Sequence, residues 1–191
     1  MQCLIHDTAG APPQTLDTEW HGAAVQPPFY FRFHTAGGRL VFEAWRDAAA
    51  QLHPKAQEGC FQENLWKYDV VEFFVATPDA RRYLEFNLSP NGAWWAAAFT
   101  EPRVPLHGFC GSDLAAAAHG HISGQGWRCR AEINLNTLEA RGWLLPTCRL
   151  AVCAVLSREG QYTYLTTCEQ RDGKPDFHHP WDWERALSTA Q

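Results

Sequence analysis

The chain has 191 residues, a formal net charge of −5 and a pI near 6.0, a length that one β-sandwich domain can fill while burying a real core. There is no basic stripe and no interleaving of aromatic residues with Lys/Arg runs, which disfavours nucleic acid and anionic membrane surfaces as partners. The opening "MQCLIHDTAGAPPQ" has no charged stretch followed by an apolar one, and no later run approaches the roughly 18 apolar residues of a membrane span, so the expectation is a soluble cytoplasmic protein. Seven cysteines without a C-x-x-C pair read as free thiols in a reducing compartment rather than a zinc site or a disulfide framework. Nine tryptophans exceed what a core of this size needs, so some are expected to face a ligand.

Before residue 28 the Pro/Gly/Ala-rich composition suggests an extended arm or first edge strand, and 1–191 is read as one domain with 1–27 as that arm. "PFYFRFHTAGGRLVFEAW" is an aromatic run of period two, a Gly37-Gly38 turn and a second run, which predicts a β-hairpin. "YDVVEFFVATPDARRYLEFNLSPNGAWWAAAF" predicts three strands joined by turns at Pro78-Asp79 and at Pro90-Asn91-Gly92. The segment 101–121 reads as a loop long enough to act as a lid. "GWRCRAEINL" alternates, with Trp127, Cys129, Ala131, Ile133 and Leu135 on one face. "LNTLEARGW" predicts one helical turn, and "CRLAVCAVLS" and "QYTYLTT" add two strands around Glu159-Gly160. Eight or more short strands at hairpin spacing, with no sustained helical period, define an all-β fold: a jelly-roll or immunoglobulin-like β-sandwich of two antiparallel sheets.

The hairpin over 69–89 can be read further, because strand side chains alternate faces and opposed residues share one. Placing Val71, Phe73 and Val75 with Leu84, Phe86 and Leu88 on the core side puts Glu72 on the other face with Tyr83, Glu85 and Asn87, opposite either Glu85 or Asn87. Like charges on paired strands are destabilising. A cation such as Arg130, a metal ion or a hydroxyl-rich ligand would offset them, whereas a solvated outer face with Arg/Lys partners is the plain alternative. Trp66, Tyr83, Trp94 and Trp95 beside these carboxylates favour a sugar site, since rings stack on the C–H faces of a pyranose while Glu, Asn and Arg meet its hydroxyls.

These residues carry a resemblance. "LWKYDVVEFFVATPDARRYLEFNLSPNGAWWAAAF" and "GKPDFHHPWDWERAL" follow in order the W-x-x-D-x-V-E-x-F, Y-x-E-F-x-x-S-P-x-G and F-H-x-P patterns. Between them "GWRCRAEINLNTL" stands where a W-x-x-E-x-x-I/L strand falls, with Glu132 five residues after Trp127 rather than three. The chain thus resembles the DOMON-like superfamily, in the group related to family 9 carbohydrate-binding modules. The resemblance implies a sandwich that binds ligands on one face or at one end. It also implies that Trp66 supplies a stacking ring and Glu72 a hydroxyl acceptor, with Asp69, Tyr83, Glu85, Asn87 and Arg130 in matching strands. Sugar-binding members carry a second tryptophan on the last strand before F-H-x-P, where this chain has Leu165 or Thr166, so Tyr164 or Trp181 would have to replace it. A structural calcium ion is raised by the resemblance but supported by no motif.

The function expected is a non-catalytic binding module for a small saccharide or polyol, using Trp66, Glu72, Tyr83, Glu85, Asn87, Trp95, Arg130, His178 and Trp181. An interaction scaffold, with a homodimer formed through the Trp94/Trp95 face, is the alternative. A hydrolase using Glu72 and Glu85 needs an open cleft and a defined carboxyl separation. Met1 is the only methionine, which removes Met-ligated haem, and no C-x-x-C-H attachment signal is present. The His119/His121 pair lacks a third metal ligand, and adjacent His178 and His179 point apart in an extended segment. "KPDFHHPWDW" is therefore read as a closing loop anchored in the core by Phe177, with His178 and Trp181 on the site's rim.

Overall fold

The computed structural model describes residues 1–143, 147–169 and 173–188; the remaining residues of the single-domain reading, including 189–191, lie outside these. The strands run in chain order as β1 (Leu4–His6), β2 (Gln14–Thr18), β3 (Ala24–Ala36), β4 (Arg39–Arg46), β5 (Val70–Ala76), β6 (Tyr83–Leu88), β7 (Trp94–Glu101) and β8 (Val104–Pro105). They continue with β9 (Ala117–Ile122), β10 (Trp127–Asn134), the short helix α1 (Leu135–Ala140), β11 (Arg149–Arg158), β12 (Gln161–Thr166) and β13 (Leu187–Ser188). The helix is capped by the Asn134 side chain, which accepts from the Asn136 N–H.

Two sheets form the sandwich. One is ordered β13-β1-β3-β4-β10-β9, with β2 also paired to β3, and the other β12-β11-β5-β6-β7-β8. The expected hairpins β3–β4, β5–β6, β6–β7 and β11–β12 all form as antiparallel pairs. Two expectations are corrected. The first sheet is mixed, because the N-terminal arm is not a single edge strand: β1 runs parallel to both β3 and β13. The 101–121 segment is not a lid: it returns against β7 as β8, forms a 3₁₀ turn over Gly111–Leu114 and then supplies β9 to the first sheet.

The main core lies between the sheets, where period-two faces meet. Phe33 and Phe42 of one sheet contact Phe73 of the other at 5.6 and 5.1 Å between ring centroids, and Phe86 stacks on Trp94 within 8° of parallel. Val71, Phe73, Val75, Leu84, Phe86 and Leu88 all point into this cluster, as their alternation required.

A second apolar cluster covers the opposite face of the second sheet. Trp20, Leu65, Phe177 and Trp183 are brought over Val70, Phe74, Ala151, Cys153 and Val155. Every residue of β5 is consequently buried, which explains why VVEFFVA is almost continuously apolar. This overturns the plain alternative of a solvated outer face. It also moves Phe177 from the main core to this second layer, where it meets Trp20 at 5.8 Å and Tyr164 at 6.1 Å.

Candidate functional site

A cleft of about 400 Å³ opens in this second layer, over strands β5, β6, β7, β11 and β12. Its floor holds Glu72 and Glu85, its mouth Trp66 and Trp95, and its far wall Phe99, Arg103, Tyr164, Phe177 and His178. Trp66 sits in a 3₁₀ turn, Leu65–Lys67, anchored by buried Leu65. The turn holds Trp66 edge-on to Trp95 at 5.5 Å, and Trp66 remains 40% exposed.

In the hairpin register Glu72 faces Asn87, and Glu85 faces Phe74. The two carboxyls are therefore diagonal neighbours on one face. Both residues are almost fully buried. Asn87 donates through Nδ2 to Glu85 Oε1 at 3.1 Å. Burial and the Glu85 charge push the Glu72 carboxyl well above the usual carboxylate range, and burial raises Glu85 to about 7. Both carboxyls are thus held toward their protonated forms, Glu85 titrating near neutrality, and the two titrate as a pair.

A hydrogen-bond chain fixes the far wall. Arg103, at a turn residue with φ of +62°, donates its backbone N–H to the Tyr83 hydroxyl at 3.0 Å. The same hydroxyl lies 2.7 Å from His178 Nδ1. The roles in that contact follow the His178 tautomer: a phenol that accepts from Arg103 and donates to Nδ1 leaves the neutral ring with its proton on Nε2. Burial, reinforced by Arg103, lowers His178 to about 4, and burial pushes Tyr83 up to about 12. His178 Nε2 stands 3.7 Å from Glu85 Oε2, too far for a good hydrogen bond but close enough to orient the carboxylate. The Arg103 guanidinium is held by Asp176 at 2.7 Å.

Of the residues expected at the site, Trp66, Glu72, Glu85, Trp95 and His178 line the cleft together. Tyr83 and Asn87 lie behind it as fully buried supports. Arg130 is not at the site. It lies on β10 in the other sheet, paired with Glu132 at 2.8 Å and Glu43 at 3.5 Å, because alternation along a strand does not say which sheet the strand joins. Trp181 is also displaced: it is exposed and packs on His179, while its backbone carbonyl accepts from Arg149. On β12 it is Tyr164 that lines the cleft, while Leu165 points into the main core. Trp94 and Trp95 face opposite sides of β7, Trp94 buried with its Nε1 donating to the Gly59 carbonyl, so they cannot form one dimer face. Asp69 is structural, accepting from the Ser157 and Gln51 N–H groups and from Arg158.

Phe99 and Arg103 line the cleft without having been singled out by sequence pattern. Arg103 was hidden inside the presumptive lid, and only its place between Glu101 and Val104 in a tight hairpin brings it there. Among the described residues no three His, Cys, Asp or Glu side chains gather to hold a metal ion, so the calcium raised by the resemblance finds no such ligand set. His119 instead contacts Glu58 at 3.2 Å. A larger depression of about 760 Å³ around Trp45 and His121 lies on the other sheet, but the Arg128 guanidinium already covers the Trp45 ring at 4.7 Å. Among the described residues no helix is long and apolar enough to cross a membrane.

Neither a protein-family profile nor any curated protein sequence matches the chain. Solved structures do. A candidate carbohydrate-binding protein from Bacteroides uniformis superposes with a TM-score of 0.68 at 14% identity, covering 98% of each chain. A family 9 carbohydrate-binding module from Caldicellulosiruptor kristjanssonii in complex with glucose gives 0.64 at 11% identity, over 97% of this chain and 95% of that one. The cellotriose complex of a family 9 module from the same organism gives 0.66 at 9% identity, over 100% and 95%. The fold is thus the β-sandwich of family 9 carbohydrate-binding modules, as the sequence resemblance implied.

Proposed function

We propose that the protein is a non-catalytic binding module for a small saccharide or similar polyol, held in the cleft over Glu72 and Glu85. The observation that carries this is the pairing of an exposed ring, Trp66, set edge-on to Trp95, with two buried carboxyls on the floor directly beneath. Rings for C–H faces next to acids and amides for hydroxyls are the two halves of a sugar site. In this reading Glu72, held toward its protonated form by burial, can donate as well as accept, which suits a hydroxyl that does both. The DOMON-like assignment belongs to the same reading and rests on the motifs around Trp66, Glu72 and Phe177. Seven free cysteines suit residence in a reducing cytoplasm.

Binding fits the geometry better than hydrolysis. A glycosidase flanks the scissile bond with its two carboxyls, whereas Glu72 and Glu85 sit side by side on adjacent strands of the floor. A panel of mono- to trisaccharides titrated by calorimetry tests the proposal, with Trp66→Ala as the control: saccharide binding that depends on Trp66 supports it, and binding indifferent to that ring contradicts it.

A further inference from the structure

We infer that the saccharide bound in this cleft is an amino sugar whose protonated amine lies against the Glu72 and Glu85 carboxyls. The inference rests on the saccharide reading above and specifies its ligand.

Two carboxyls on neighbouring strands of one face repel each other, and folded proteins offset such pairs with a cation. Among the described residues no cation is in contact with this pair. From β6 comes the amide of Asn87, from β11 the thiol of Cys153 and from β12 the phenol of Tyr164. From the closing segment comes His178, whose Nδ1 pairs with the Tyr83 hydroxyl and whose ring is kept neutral by burial. Arg103 is the cation that lines the cleft, and its guanidinium is turned to Asp176. Arg130 lies on the other sheet. Burial first, and for Glu72 the neighbouring Glu85 charge as well, hold both carboxyls toward their protonated forms.

An ammonium ion is a better counter-charge than a hydroxyl. It donates three hydrogen bonds and accepts none, matching a floor of carboxylate oxygens. It also gains from the rings of Trp66, Trp95 and Tyr164, whose faces attract cations in a partly desolvated site. A neutral sugar makes the same ring contacts but offers the carboxyls no counter-charge. Binding the amine therefore exchanges carboxyl protons for the ammonium group and releases protons to solvent. Affinity for the amine rises as pH increases from about 5 to 7, where Glu85 sheds its proton, and falls again once the ligand amine itself deprotonates.

The test uses the full chain and three sugars of the same ring: D-glucose, D-glucosamine and N-acetyl-D-glucosamine, in which the charge is removed. Calorimetry at pH 6.5 in two buffers of different ionisation enthalpy reads affinity and proton exchange together. Glucosamine is expected to bind at least about tenfold more tightly than either neutral sugar, with net proton release, as a charged hydrogen bond desolvated in a site warrants. Glu85→Gln, isosteric with the protonated acid, is expected to bring the preference close to one. Glucose binding as tightly as glucosamine, with no proton release, overturns the amino-sugar inference and leaves the saccharide reading standing. Failure of all three sugars to bind counts against both.

Discussion

The Tyr83 hydroxyl lies 2.7 Å from His178 Nδ1 while accepting the Arg103 backbone N–H at 3.0 Å, and a phenol that donates to Nδ1 leaves this histidine, on another segment of the chain, protonated on Nε2. This ties β6, the β7–β8 turn and the closing loop into one wall. A long-range proton–nitrogen NMR spectrum should show His178 protonated only on Nε2 from pH 8 down to about 5, because its pKa is lowered to about 4. In Tyr83→Phe the buried Nδ1 loses its donor, with an expected cost of about 1–3 kcal/mol. A His178 protonated on Nδ1 in the wild type would contradict the wall as described.

The floor carboxyls set a pH dependence of stability. Glu85 is raised from 4.5 to about 7 and Glu72 moves the same way, so between these values the folded state holds more protons than the unfolded chain. Their contribution is present below about pH 4.5 and is lost as pH rises through 7. His178 acts oppositely: lowered from 6.5 to about 4, it costs stability as pH falls through that range. Glu85→Gln, which mimics the neutral acid, should therefore be more stable than wild type at pH 8 by on the order of 2 kcal/mol, with the gap closing by pH 5. Melting temperatures across pH check this, the expected gain being about 4–8 °C.

Asp69 shows the other use of a buried carboxylate. It accepts from the Ser157 N–H at 2.7 Å, the Gln51 N–H at 3.1 Å and Arg158 at 2.9 Å, binding the loop before β5 to the end of β11. Asp69→Ala strands these donors and should cost about 3–5 kcal/mol. Chemical denaturation would read the loss directly, and an effect below about 1 kcal/mol would remove Asp69 from the framework.

Much of the architecture was legible in the sequence because strand side chains have a period of two. Val71, Phe73 and Val75 against Leu84, Phe86 and Leu88 fixed the parity of the β5–β6 hairpin, and that parity put Glu72 and Glu85 on one face. Parity stops at the strand, however. It could not tell that Arg130 serves the other sheet, nor that Trp20, Leu65, Phe177 and Trp183 would converge from distant segments to bury the second face. Contacts at such separation leave no local period. The same limit hid Arg103, whose position depends on a two-strand return inside a stretch that looks like loop.

The cleft itself makes the most direct demand. Trp66 is 40% exposed and anchored through Leu65 rather than through its own ring, so Trp66→Ala should change stability by less than about 1 kcal/mol. Its loss should nevertheless remove one face of the ligand site. Calorimetric titration of the saccharide panel into wild type and Trp66→Ala is the decisive measurement. Binding to wild type that weakens at least about tenfold in the folded variant is the predicted result; no binding to wild type, or equal binding to both, would contradict a saccharide site over Glu72 and Glu85.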